Sequence, residues 1–173
     1  PVKLEDCPAH YYGEMSYPGD SIKQEYKEDI LVGYRWYDTK NIKPLYSFGH
    51  GISYTTYAYS KPSISGKSIS ENGELTISVK VKNTGKVKGK ETVQLYIGDE
   101  KCSLLRPEKE LKGFCKVELA PNEEKEVKFT IDANDLKFFD DRTQKWTVEP
   151  GKFKAYIAAA SDDVRGVLEF EYK

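Results

Sequence analysis

The sequence predicts an all-β fold, a two-sheet antiparallel sandwich of immunoglobulin-like type, and three observations carry that prediction. Short apolar runs with a two-residue period recur along the chain. Polar turns containing Gly and Pro separate them at short intervals. No long stretch shows the three-to-four-residue period of an amphipathic helix. With 173 residues, the chain is long enough for one well-buried domain with an appendage.

The alternation is plainest in Glu74–Ile97. Leu75, Ile77, Val79 and Val81 fall on one face, and Thr76, Ser78, Lys80 and Lys82 on the other. Asn83-Thr84-Gly85 and Gly89 break the run. Val93, Leu95 and Ile97 then resume it against Thr92, Gln94 and Tyr96, so two strands joined by a polar turn are expected, each with one row in water.

Before this pair, Pro1 to about Asp29 forms an irregular, Tyr-rich arm with no sustained period. It is expected to lie along another surface through the apolar bodies of Tyr11, Tyr12 and Tyr17. Ile30–Tyr37 reads as a short buried strand ending at Asp38-Thr39-Lys40-Asn41. Tyr54–Ile64 reads as the first sandwich strand and Ser65–Asn72 as a polar connection.

After the pair, Arg106-Pro107-Glu108-Lys109-Glu110 is either a solvated face or a clamp against a neighbouring domain. Cys115, Val117 and Leu119 followed by Val127, Phe129 and Ile131 suggest a hairpin across Ala120-Pro121-Asn122-Glu123. Asp132 is placed to cap a single helical turn. A second hairpin is expected around Asp140-Asp141-Arg142-Thr143, and Phe153–Ala160 with Val167–Tyr172 closes the domain. Ala158-Ala159-Ala160 suits a place where another backbone packs closely.

The 27 basic and 28 acidic residues leave a formal charge of -1, which gives neither a nucleic acid nor an anionic membrane an electrostatic reason to bind. No apolar run approaches the roughly 20 residues that cross a bilayer, and the first residues lack an apolar signal core. A chain starting at Pro1 without Met is expected to be a fragment or processed piece. Cys7, Cys102 and Cys115 are an odd, sparse set, read as reduced thiols with a Cys102–Cys115 bridge as the alternative; with the missing leader this favours a cytoplasmic setting.

Cys7 and His10 lack a second ligand pair, and Asp140-Asp141 lacks further spaced oxygens, so no metal and no cofactor is expected. Asp38, Glu108, Glu110, Asp140, Asp141, Asp162 and Asp163 are all expected in turns or exposed segments. Neither a Gly-x-Ser-x-Gly elbow nor a phosphate-cradling glycine loop occurs.

GYRWYD at Gly33–Asp38 and PLYSFGHGISYTTYAYS at Pro44–Ser60 resemble the junction near the C-terminus of family-three glycoside hydrolases, the β-glucosidase and β-xylosidase group. The likeness continues through VKVKNTGKVKGKETVQLYIGD and KWTVEPGKFKAYIAAAS. It implies a fibronectin type III-like sandwich over residues 44–173, with residues 1–43 as junction and tail of a preceding α/β domain.

Those enzymes are retaining glycosidases, whose nucleophilic Asp and acid/base Glu belong to a barrel and to an α/β sandwich domain. No block here matches either motif, so no catalytic residue is assigned. The implied role is a non-catalytic accessory domain that packs against the catalytic domains and helps pair subunits into a homo-oligomer. Its contact residues would be Tyr34, Arg35, Trp36, Tyr37, Phe48, His50 and Arg106. The alternative is a free-standing carbohydrate-binding or adhesive module, with Trp36 and Trp146 stacking on sugar rings.

Overall fold

The alternating strands sort into two packed sheets. The structure, a computed structural model, describes residues 1–173. In the arm a short 3-10 turn, Leu4–Asp6, precedes α1 (Pro8–Tyr11), and α2 (Tyr34–Thr39) follows. The strands are β1 (Tyr57–Tyr59), β2 (Ser63–Ile64), β3 (Ser68–Ile69), β4 (Glu74–Asn83), β5 (Gly89–Asp99), β6 (Glu110–Leu119) and β7 (Glu124–Asp132). One helical turn, α3 (Ala133–Leu136), leads to β8 (Phe138–Asp140), β9 (Lys145–Thr147), β10 (Gly151–Ala160) and β11 (Asp163–Tyr172).

One sheet is built on β4, which pairs with β7 along one edge and with β1 and β2 along the other. The second runs β3-β11-β10-β5-β6, antiparallel except for the short parallel contact of β3 with β11. Between them lies the core, where Leu75, Ile77, Val79 and Val81 meet Val93, Leu95, Ile97, Phe153, Ile157 and Phe170, each no more than 4% exposed. Burial of each such side chain contributes about 1.5–3 kcal/mol, which makes this layer the main source of stability. Asp132 caps α3 by accepting from Asn134 N, as its position predicts. β8 and β9 form the expected hairpin, and β10 and β11 the expected closing pair.

Tyr54–Ile64, read as one strand, is divided into β1 and β2, and β3 lies within Ser65–Asn72, read as a polar connection. Further expectations also require correction. β4 and β5 are not hydrogen-bonded to each other: the chain crosses from one sheet to the other between them. The same holds for β6 and β7, read as a hairpin. Alternation settles which side chains face inward, and leaves open which strand lies alongside.

Ile30–Tyr37 is not a strand. Gly33, at φ 57°, turns the chain, and Trp36 N and Tyr37 N donate back to Gly33 O, closing α2 on local hydrogen bonds. The outer row of β5 is not in water either: Gln94 and Tyr96 are 4% and 0% exposed. The arm covers them.

Candidate functional site

The arm meets the outer face of the β10-β5-β6 region through a small aromatic layer. Tyr34 packs against Tyr96 at 5.6 Å and against Phe48 at 5.3 Å between ring centroids. Its hydroxyl accepts from Leu111 N at 2.8 Å. Phe48 O accepts from Ser161 N at 2.8 Å, which lays the arm's backbone beside the alanine run of β10. Gly49, at φ 86°, comes so close to Gln94 that a Cβ would strike its amide. Gln94 Nε2 donates to Ala159 O at 3.0 Å, and the Tyr96 hydroxyl donates to Gln94 Oε1.

Charge then locks α2 in place. Asp38 pairs with Lys109 at 2.8 Å, with both side chains at or below 10% exposure. Lys109 also lies over the rings of Tyr96 and Tyr156. Glu108 N donates to Thr39 Oγ1 at 2.9 Å, and Arg35 pairs with Glu110 at 3.3 Å. Arg106, its side chain 5% exposed, bonds Asp99 at 3.3 Å, Glu110 at 2.8 Å and Leu136 O at 3.0 Å. The segment Arg106–Glu110 is therefore a clamp, and what it grips within this chain is α2.

Burial shapes these carboxylates in opposite ways. Burial raises Asp38 above its ordinary value of 3.8, against the pull of Lys109. Burial also pushes Glu110 upward, but the hydrogen bond from Arg106 and the charges of Lys112, Arg106 and Arg35 outweigh it, and the net shift is below 4.5. Asp140, read as a turn residue, is 6% exposed and is held down at about 2 by the hydrogen bond from Arg142. Asp38, Glu110 and Asp140 thus correct the expectation of solvent-facing carboxylates. Sequence position suggested loops, whereas each has a cation placed on it.

The residues proposed for domain contact fall in three settings. Trp36 and Arg106 are interior: Trp36 is 0% exposed, donates from Nε1 to Asp6 O at 3.0 Å and packs against Tyr11 and Tyr12. Tyr34, Arg35 and Tyr37 are half-buried along α2. Phe48 is half exposed and His50 exposed, its ring 5.2 Å from Tyr46. Gln94, Asp38 and Lys109 also hold the arm; of these only Lys109, within the segment read as a solvated face or a clamp, carried a signal in the sequence. The run Ala158-Ala159-Ala160 was the one available signal of a close backbone approach.

The arm and the junction loop that follows it are also where apolar surface is left bare. Of the 20 exposed large hydrophobic side chains, 13 lie in residues 1–54, among them Ile22 at 93%, Ile52 at 95% and Tyr54 at 101% exposure.

An open cleft of about 410 Å³ beside His50 holds Glu91, Asp162, Asp163 and Arg165. Glu91 accepts from the Tyr59 hydroxyl at 2.7 Å, and Asp163 pairs with Arg165 at 2.6 Å, so two of the three carboxylates are engaged. No group of three or more His, Cys, Asp or Glu is arranged to hold a metal, and all three cysteines are free thiols. No helix is long and apolar enough to cross a membrane.

Residues 91–161 match a family model described as a fibronectin type III-like domain. With the two sheets around one filled core, this defines the chain as a fibronectin type III-like β-sandwich carrying an ordered N-terminal arm. Beta-glucosidase BoGH3A of Bacteroides ovatus is 70% identical over 172 residues, which take in 99% of this chain and 23% of that protein. Thermostable beta-glucosidase B of Acetivibrio thermocellus is 49% identical over 164 residues, covering 95% of this chain and 21% of its own. Among solved structures, the Bifidobacterium adolescentis GH3 beta-glucosidase superposes with a TM-score of 0.88 at 31% identity, covering 99% of this chain and 24% of that one.

The chain thus corresponds to the C-terminal, fibronectin type III-like region of family-three glycoside hydrolases of the β-glucosidase type. It spans less than a quarter of the length of the curated relatives named above.

Proposed function

We propose that this chain is the non-catalytic accessory domain of a retaining O-glycoside hydrolase, and that its arm and junction pack against the catalytic domains of the parent polypeptide. One observation carries the reading: the bare apolar side chains are concentrated in residues 1–54, while the sandwich interior is filled. Residues 1–43 would be the tail of a preceding α/β domain, with the sandwich over residues 44–173. Phe48, His50 and the exposed loop around them, with Tyr34, Arg35 and Tyr37 behind, would form the contact, and Trp36 and Arg106 would stiffen it from within. No catalytic residue is proposed for this chain. Pairing of subunits is a further part of the proposal.

The test is a thermal melt of the 173-residue chain with and without the catalytic portion of the parent supplied in trans. A rise of several degrees in saturating partner is expected, with no hydrolysis of an aryl glucoside by the chain alone. An unchanged melting temperature, or turnover by the isolated chain, contradicts the reading. A free-standing sugar module, read as stacking sugars on Trp36, Trp146 and the many tyrosines, loses Trp36, which is buried. Trp146 stays open at 67% exposure, which keeps a sugar contact as an additional property of the accessory domain.

A further inference from the structure

The β8–β9 hairpin stands apart from both main sheets and places Phe139 opposite Trp146. Their ring centroids are 5.7 Å apart at 66°, and they are 44% and 67% exposed. Together they line one part of a groove of about 570 Å³, which Leu105 and Ile30 also line, at 52% and 41% exposure. That volume is within the range that holds small ligands.

Beneath these apolar lips the groove carries charge. Arg106, Glu110 and Lys112 expose only 5%, 15% and 18% of their side chains, whereas Asp141 and Arg35 are more open. This ordering is the inverse of a protein–protein interface, whose centre is depleted of charge and whose rim is polar. The lining holds four basic and three acidic side chains, so no strong field of one sign selects an anion or a cation. An aromatic surface open to water, next to a charge-balanced set of hydrogen-bonding groups, suits a ligand that is flat and apolar on its faces and hydroxylated around its edge.

We propose that this groove binds a neutral oligosaccharide of two or three β-linked hexoses with equatorial hydroxyls, one ring stacked on Trp146 with Phe139 flanking it, and hydrogen-bonded to Lys137 and Asp141. In such a pyranose the axial C–H bonds make both ring faces apolar, and the hydroxyls project sideways toward the charged groups. The proposal rests on the accessory-domain reading, and adds to it a sugar subsite outside the catalytic domains.

The experiment titrates the 173-residue chain with cellotriose and follows tryptophan emission and its quenching by acrylamide. Trp36, fully buried, serves as the silent reference within the same molecule. Saturable protection of Trp146 with a Kd of about 1 mM is expected. Trp146→Ala should weaken binding at least about tenfold, as judged by calorimetry, while Trp146→Phe, which keeps a ring, should bind measurably. Tyr54→Ala, at a bare aromatic outside the groove, should bind as the parent chain does.

Affinity should not change between about 50 and 500 mM salt, because the ligand carries no charge. A galacto-configured trisaccharide, with its axial O4, should bind more weakly. No saturation by about 20 mM cellotriose, binding that survives Trp146→Ala, or affinity that falls with salt overturns the proposal. Shielding of Trp146 by the added catalytic portion without sugar also overturns it, by making the groove a domain contact. Failure of the accessory reading shows separately, in the melting temperature.

Discussion

Asp38 and Glu110 sit on the two sides of the clamp that holds α2, and they respond to acid in opposite directions. Glu110 has a folded value below 4.5, so the unfolded chain takes up its proton first as pH falls. Its contribution to stability is complete above 4.5 and is lost as pH drops through the depressed folded value. Asp38 is raised above 3.8, so here the folded chain protonates first. Its contribution is fullest below 3.8 and declines as pH rises through the folded value. Denaturant unfolding between about pH 3 and 6 should therefore show a shallower acid loss for Glu110→Gln than for the parent chain, and a steeper one for Asp38→Asn. Parallel curves for all three would contradict the assigned ion pairs.

Residues of this kind were the hardest to see in the sequence. Asn83 reads as the start of a turn, yet it is 0% exposed and joins the two sheets. Its Oδ1 accepts from Thr55 Oγ1 at 2.6 Å and Gly85 N at 3.0 Å, and its Nδ2 donates to Val87 O and Leu119 O. A short polar side chain is equally suited to a turn and to a buried hub, and its neighbours in sequence do not distinguish the two.

Strands, in contrast, were legible wherever one face is buried. β4 and β7 show the alternation residue by residue, because Leu75 to Val81 and Val127 to Ile131 point into one core while their neighbours meet water. The same logic failed on β5, which is buried on both faces because the arm lies over Gln94 and Tyr96. It failed again on sheet membership, since a polar turn of a few residues serves a hairpin or a crossing between sheets equally well. α2 was misread because Tyr34, Trp36 and Tyr37 are strand-type residues by propensity, and Gly33 with the pull of the aromatic layer decided otherwise.

The close packing of these elements can be tested at Gly98 in β5. A Cβ there would strike Glu108 O, a backbone atom in the clamp segment. Gly98→Ala should cost about 1–3 kcal/mol in chemical denaturation and loosen the clamp, with Gly151→Ala, where nothing lies within 4 Å, as the control. Equal stability of the two variants would mean that clamp and sheet are not in contact as described.

Taken as one molecule, the chain divides its work between a filled sandwich and an arm whose apolar residues are largely unspent. The sandwich supplies rigidity through its two-sheet core, and the clamp transmits it to α2 and the junction loop. In the cleft beside His50, two carboxylates are committed to neighbours, Glu91 to Tyr59 and Asp163 to Arg165. The measurement that tests this division most directly is amide hydrogen exchange, compared between the 173-residue chain and the complete parent enzyme. Protection should rise in the arm and in the loop around Phe48 to Tyr54 when the catalytic domains are present, and stay level in β4, β7 and β10. Identical exchange of the arm in both forms would contradict the account.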